Sequence, residues 1–344
     1  MTARTLILGT RGSRLALAQS AAVARAASRA GAAMGLNITV ELKVVRTHGD
    51  VTATPLASLG GIGVFAAQLR LALLEGQCDL AVHSFKDLPT APVPGLRIAA
   101  VPCREDPRDA LCAADGQTLA DLPEGARVGT GSPRRAAQLL AARPDLRICD
   151  LRGNVPTRLS RVRGVDLGTD VGTAHTALGT GEPLEAVVLA LAGLKRLGLG
   201  GHATHVLPPE AMMPAPAQGA LAIETRDDID AELRSVVAAL NDRGTALAAS
   251  AERALMASLG AGCAAPVGAL ARVNQDDSAL VIDARIVAVD GSASVEARDT
   301  LALTDNACEA DAATAGRRCA QNLLAAGGAN VADLRASKPL RSPS

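Results

Sequence analysis

The chain has no tryptophan, no tyrosine and only two phenylalanines, Phe65 and Phe85, among its 344 residues. Ala, Leu and Val must therefore fill the interior, and the place of each phenyl ring becomes a question in its own right. A surplus of either charge is also missing, since 35 Lys and Arg balance 35 Asp and Glu. Non-specific nucleic-acid binding needs a basic excess to displace counterions, so no nucleic-acid partner is expected. Lysine itself is scarce: Lys43, Lys86, Lys195 and Lys338 are the full set, and the other cations are arginines. The seven cysteines include no CxxC pair, which fits neither a disulfide framework nor a zinc site, and no metal is expected. No apolar run has membrane-spanning length, and Met1-Thr2-Ala3-Arg4 leads straight into Leu6-Ile7-Leu8 without the features of a signal peptide. The expectation is a cytoplasmic protein without a membrane partner.

What is present is length and alternation. A chain of 344 residues exceeds one ordinary core, which favours two or three domains. Over the first 240 residues or so, short apolar runs alternate with Ala/Leu-rich stretches, the pattern of parallel sheets flanked by helices. Strands are expected at Thr39–Val45, Asp79–Val82, Arg97–Val101, Ala126–Gly129, Leu146–Asp150 and Ala186–Ala190, and helices at Leu15–Arg29, Phe65–Leu74, Arg135–Ala142 and Val155–Val162. Ile7–Arg14 and Val128–Arg135 echo one another as strand, Gly-containing turn, Ser cap and helix. At each such helix start, free backbone N–H groups, the helix dipole and neighbouring Arg side chains would face an anion. After Asn241 the texture becomes α+β. A helix at Thr245–Leu259 precedes Gly260-Ala261-Gly262-Cys263, then alternating strands Leu280–Val289 and Ala293–Leu303 meet at Asp290-Gly291, and a helix spans Glu309–Ala326. Gly164–Gly181, rich in Gly and Thr, reads as a surface insertion, with His175 facing solvent.

Three features carry chemistry. In Asp79–Pro89 an apolar strand runs out into His83-Ser84-Phe85-Lys86-Asp87, at the carboxyl end where open α/β sheets place ligands. A solvated Lys/Asp pair on a loop would read the same way taken alone. Next, Arg11, Arg14, Arg134, Arg135, Arg152 and Arg158 stand at strand-to-helix junctions, which gather on one rim of such sheets. Guanidinium groups match carboxylates in bidentate fashion, as lysine does not. Last, Cys263 lies between small residues that leave its thiol approachable. Cys78, Cys103, Cys112, Cys149, Cys308 and Cys319 are read as buried, inert thiols.

These strings, in this order and over essentially the whole chain, resemble the porphobilinogen deaminase family. They comprise Thr10–Ser13, the Gly60–Phe65 loop, Ala81–Pro89, Arg104–Ala110, Gly129–Arg135, Leu151–Arg158, Leu189–Leu199, Pro214–Glu224 and Gly262–Gly268. The resemblance implies an α/β fold with two lobes like type II periplasmic binding proteins plus a small C-terminal α+β domain. The implied domains are residues 1–102 with 217–240, residues 103–216 with the insertion, and residues 241–344. It implies a usually monomeric transferase that condenses four porphobilinogen molecules on a dipyrromethane cofactor, held by a thioether to Cys263 and made from its own substrate. By motif position Asp87 corresponds to the catalytic carboxylate, and Arg11, Ser13, Lys86, Thr130, Ser132, Arg134, Arg135, Arg152 and Arg158 to residues around the acetate and propionate groups. His83, Ser84, Gln218 and Gly219 fall in cleft segments.

The residue chemistry agrees with this resemblance. Each pyrrole unit brings two carboxylates, so a growing chain needs fixed cations in a partly dry cleft. One carboxylate near a pyrrole N–H would stabilise the electron-poor cation left by departing ammonia. Phe65 could stack on a pyrrole ring or pack in the core. Ile62 stands where relatives commonly carry a basic residue, Gly12 and Arg14 replace a commoner Gln and Pro, and the Gly164–Gly181 insertion has no usual counterpart. A non-catalytic, two-lobed binding protein for a polycarboxylated metabolite would use the same arginines, but it gives Cys263 no task.

Overall fold

The computed structural model describes residues 4–45, 64–167, 182–262 and 264–335. The alternating pattern of the first half builds β1 (Arg4–Thr10), α1 (Arg14–Ala33), β2 (Ile38–Val44), α2 (Val64–Leu74), β3 (Leu80–Ser84) and β4 (Leu96–Ala100). The chain then crosses to a second set: β5 (Asp109–Ala113), β6 (Arg127–Gly129), α3 (Pro133–Ala142), β7 (Arg147–Cys149), α4 (Val155–Leu159), β8 (Ala186–Ala190), α5 (Leu191–Arg196) and β9 (His205–Val206). It returns to the first set as β10 (Leu221–Arg226), followed by α6 (Ala231–Ala238).

The two sheets have one topology. The first runs β2-β1-β3-β10-β4 and the second β7-β6-β8-β5-β9. In each, the first three strands are mutually parallel, and the fourth is antiparallel to both of its neighbours. That fourth strand is the one that carries the chain across between the sheets. The echo between Ile7–Arg14 and Val128–Arg135 is thus β1–α1 set against β6–α3, equivalent units of the two sheets. The all-parallel expectation is corrected: β10 and β5 make both sheets mixed, because a chain that returns from the other lobe enters from the opposite end.

The central strands β3, β5, β8 and β10 are buried almost throughout, which is why they read as apolar runs without alternation. Leu6, Leu8, Val23, Leu80, Val82, Ile223 and Val236 form part of the first core, and Leu111, Val128, Leu139, Val188 and Met212 part of the second. Full burial of each such side chain contributes roughly 1.5–3 kcal/mol.

The third unit follows as α7 (Arg243–Ser258), β11 (Val267–Val273), β12 (Ala279–Val287), β13 (Ser294–Ala302), α8 (Glu309–Ala325) and α9 (Gly328–Val331). Its strands form an antiparallel meander whose inward face packs on α7 and α8 through Leu255, Ile282, Ile286 and Leu323. At the crossing of the two helices, a Cβ on Gly316 would stand 2.0 Å from the Ala251 carbonyl, so only glycine permits this approach. The Asp290-Gly291 turn closes the hairpin as expected, with Gly291 N–H donating to Ala288 O at 2.8 Å.

Buried Glu252 of α7 ties the three units together. Its carboxylate accepts from Arg104 at 2.7 and 3.0 Å, from the Ala271 amide at 2.7 Å, and from the Ala217 amide. Arg104 lies where the chain leaves the first sheet and Ala217 where it returns, so both crossings are fastened to α7.

The helix expected over Val155–Val162 ends sooner, at Leu159, and Val162 instead bridges to Leu184. That bridge draws together the two ends of the Gly164–Gly181 insertion, of which residues 168–181, His175 included, lie outside the described residues. Of the cysteines expected to be buried, Cys78, Cys112 and Cys319 are, while Cys103 and Cys308 are exposed and Cys149 is half-buried. Loop and helix-cap positions override the general burial preference of cysteine there.

Candidate active site

The carboxyl end of β3 delivers the polar string. The strand stops at Ser84 and the chain tightens into a 3₁₀ turn, Phe85–Asp87. The turn sends Phe85 into the core, leaves Lys86 half-buried and exposes Asp87. His83 points to the opposite side of the strand from Ser84. It is buried, its Nε2 3.1 Å from Glu224 Oε2, off the hydrogen-bond axis but within ion-pair range. Glu224 also takes Arg70 at 2.9 Å. Burial raises the Glu224 carboxyl, but His83 and Arg70 outweigh it and hold the carboxyl below its ordinary range. Ser84 exchanges hydrogen bonds with Gln19 of α1.

From Lys86 a relay runs into the second lobe. Lys86 Nζ donates to Gln218 Oε1 at 3.3 Å, and Gln218 Nε2 donates to Asp109 Oδ1 at 2.8 Å and to the Pro107 carbonyl at 2.7 Å. Asp109 in turn receives Arg134 Nη2 at 2.7 Å, and Arg135 through Nε at 3.1 Å and Nη2 at 2.7 Å. Arg134 and Arg135 are only 4% and 5% exposed. Their guanidinium groups face a carboxylate of the protein itself, with Arg134 also donating to Met213 O and Arg135 to Val188 O. Both side chains turn inward beneath the helix start.

The more accessible cations are Arg152 and Arg158. Arg152 is exposed, with Nε 3.2 Å from Asp150 Oδ2. Arg158 is half-buried, and its Nε donates to Gly153 O at 2.8 Å. Burial, then the like charges of Arg135 and Arg152, bring its guanidinium down to about 10, while Asp150 and Asp87 oppose the change. Arg158 of the second lobe thus lies within electrostatic reach of Asp87 of the first. Lys86 is also pushed down, chiefly by burial and further by Arg135 and Arg134, against Asp87 and Asp109.

The helix starts differ in a way that bears on anion binding. Ser13 caps α1, accepting from the Ala16 amide at 3.3 Å, with Arg11 half-buried beside it. Ser132 occupies the same position before α3, but among the described residues its side chain makes no capping bond. Buried Thr130 accepts from the Ser132 amide at 3.2 Å. Gly219 adopts φ +87°, and a Cβ there would stand 2.2 Å from Glu105 O. Its carbonyl takes Arg196 Nη2 at 2.6 Å. Cys263, Ile62 and the Phe65 side chain lie outside the described residues; Gly262 and Ala264, which flank Cys263, are half-buried.

Sequence reasoning passed over Asp109, Glu252, Arg196 and Arg253. The signal for Asp109 and Arg196 was their place within Arg104–Ala110 and Leu189–Leu199; for Glu252 and Arg253 only their adjacency on a helix leading to Cys263 was available. Among the described residues no cluster of His, Cys, Asp and Glu could hold a metal ion, and no helix is long and apolar enough to cross a membrane.

Fold and site together define a two-lobed α/β protein whose lobes meet at a carboxylate surrounded by arginines, with a third unit fastened to both crossings. The family model "Porphobilinogen deaminase, dipyromethane cofactor binding domain" matches residues 6–235, and that of the porphobilinogen deaminase C-terminal domain matches residues 246–325. The chain belongs to the porphobilinogen deaminase family. It is 51% identical over 342 residues to the porphobilinogen deaminase of Cutibacterium acnes, covering 97% of this chain and 98% of that one. It is 48% identical over 337 residues to that of Leifsonia xyli, covering 96% and 95%. Among solved structures, a putative methionine-binding lipoprotein from Bacillus subtilis is similar with a TM-score of 0.40 at 13% identity, covering 70% of this chain and 91% of that one.

Proposed function

We propose that this chain is a cytoplasmic, monomeric transferase of tetrapyrrole synthesis that joins four porphobilinogen molecules head to tail, with loss of ammonia, and releases hydroxymethylbilane. The observation that supports this best is the relay that runs from Lys86, next to solvent-exposed Asp87, through Gln218 to Asp109, Arg134 and Arg135 of the facing lobe. A two-lobed arrangement with residues 1–102 and 217–240, 103–216 and 241–344 as domains fits the three sheets.

The residues present suit a dipyrromethane. Its acetate and propionate groups need cations and hydroxyls at a half-dry surface. Arg11, Lys86, Arg152 and Arg158 supply the charge; Ser13, Thr130 and Ser132 supply hydroxyls at two helix starts. Arg134 and Arg135, paired with Asp109, would add a fixed positive field from beneath. The group would be attached through the thiol of Cys263, and when bound it supplies the pyrrole end to which units are added. Asp87 would accept the substrate's pyrrole N–H and offset the positive charge that develops as ammonia departs. Gln218 and Gly219 hold Lys86 and the crossing segment in place, and His83 and Ser84 anchor the strand behind the turn.

Intact-mass measurement tests this reading. The purified protein should carry an adduct equal to two linked pyrrole units, absent from Cys263→Ser, and should release ammonia from porphobilinogen. Active protein consisting only of unmodified polypeptide would end the proposal, and binding without ammonia release would favour a binding protein instead.

A further inference from the structure

Phe85, one of the chain's two aromatic residues, opens the turn that ends on Asp87. The guanidinium of Arg253 lies over its ring, 4.4 Å from the centroid. From there Nη1 donates to the carbonyls of Phe85 at 3.2 Å and Leu88 at 2.7 Å, and Nη2 to that of Pro89 at 2.7 Å. One side chain therefore holds the backbone on both sides of Lys86-Asp87. It belongs to α7 of the third unit, not to the lobe that contains the turn.

Phe85 and Leu88 pack in a core with Ala66, Val101, Ala220 and Ala246, while Lys86-Asp87 between them stand outside it. The turn's own backbone gives Leu88 N–H to Phe85 O at 3.3 Å, and Phe85 N–H reaches Ala220 O at 3.1 Å. A groove of about 450 Å³ beside it is bordered by Phe85, Ile98, Val101, Ala246, Ser250 and Arg253 itself. Non-directional packing on Phe85 and Leu88 anchors the ends of the turn, and directed hydrogen bonds to its carbonyls set its orientation. A guanidinium suits the task, because its planar fork can reach three carbonyls while its face covers a ring, and an ammonium has no such face.

We propose that Arg253 is a positioning residue, fixing the Asp87 carboxylate relative to α7 so that the catalytic turn and the helix leading to Cys263 move as one body. The inference rests on Asp87 acting as proposed above. Displacing a reacting group by about 1 Å can cost on the order of 100-fold in rate. Of the cations proposed to hold the substrate's carboxylates only Lys86 shares this turn, so the larger loss should fall on kcat and a smaller one on KM.

The test uses the full chain with its cofactor content checked by intact mass. Arg253→Met should keep the adduct, lose roughly 10- to 100-fold in kcat and raise KM by much less, about 2- to 5-fold. Arg253→Lys should recover part of that loss, and Phe85→Leu, which removes the ring beneath the guanidinium along with some core packing, should cost at least about 2- to 5-fold. If Arg253→Met does not fold, Arg253→Lys decides, and must lower kcat by a larger factor than it raises KM. Wild-type kcat in the Arg253 variants, or a rise in KM at constant kcat, would overturn the inference while leaving Asp87 and Cys263 in their roles. Absence of the adduct from the wild-type chain would instead strike the functional reading.

Discussion

Replacing Asp109 with asparagine preserves shape and removes one charge at the most enclosed point of the site. Asp109 is fully buried and accepts four hydrogen bonds, one from Arg134, two from Arg135 and one from Gln218. Asparagine has a single acceptor oxygen and would turn an NH2 group toward a guanidinium or toward Gln218 Nε2. Two cations that are 4% and 5% exposed would then lack their counter-charge without gaining water. Removing one side of such a buried pair costs about 3–5 kcal/mol. With a urea dependence of about 2 kcal/mol per molar, the midpoint should fall by about 1.5–2.5 M. The pH dependence has a definite sign. Burial pushes the Asp109 carboxyl up, but Arg134 and Arg135 outweigh it and hold the carboxyl below its ordinary value. A group lowered in the folded state stabilises fully above its unfolded pKa of about 3.9, and the contribution is lost as pH falls toward the folded value. Urea melts by circular dichroism should show a constant gap between wild type and Asp109→Asn from about pH 5 to 8, narrowing below about pH 4. A variant with the wild-type midpoint at neutral pH, or a gap that widens on acidification, would refute the reasoning.

Asp87→Asn should retain the intact-mass adduct yet lose nearly all turnover, and wild-type rates would remove Asp87 from its role. Lys86, lowered mainly by burial, should lose its charge at a lower pH than a free lysine, so KM should rise early on the alkaline side. Lys86→Arg, whose guanidinium keeps its charge, should remove that early alkaline rise, and an unshifted KM profile would contradict this. Gly219→Ala should cost at least about 1–3 kcal/mol in a denaturant melt, since φ is +87° and the methyl would meet Glu105 O. An unchanged midpoint would show that the segment relaxes.

Local signals in the sequence carried the elements that depend on neighbours in the chain. Ser13 before α1 and Asp290-Gly291 between β12 and β13 each act through atoms a few residues away, and each is found as expected. The direction of β10 was not legible, because Leu221–Arg226 pairs with β3 and β4, more than a hundred residues earlier. Leu221–Arg226 is not among the strands expected from the sequence, and composition says nothing of a strand's sense. The same limit applies to the site. Asp87 and its cations stand at strand ends, where position alone suggests a ligand. Asp109 sits on a strand beside Asp106 and Arg108, which pair with each other, and no local pattern tells which acid will meet Arg134 and Arg135.

The arginines that seemed equivalent in the sequence divide by burial, and the division changes what the cleft can do. Arg134 and Arg135 with Asp109 make a sealed group of two positive charges and one negative, so one positive charge survives in a dry environment. Its effect is visible on Lys86, which both arginines push toward losing its proton while Asp109 and Asp87 resist. An anion placed near Lys86 would feel that surviving charge without touching either guanidinium, and would hold the Lys86 proton in place as it bound. On the proposed reading, direct contact with carboxylates falls to Arg11, Lys86, Arg152 and Arg158, which are half-buried or exposed. A sealed pair supplies a field that does not move as successive units pass. The open cations can release one carboxylate and take the next, which a growing tethered chain requires.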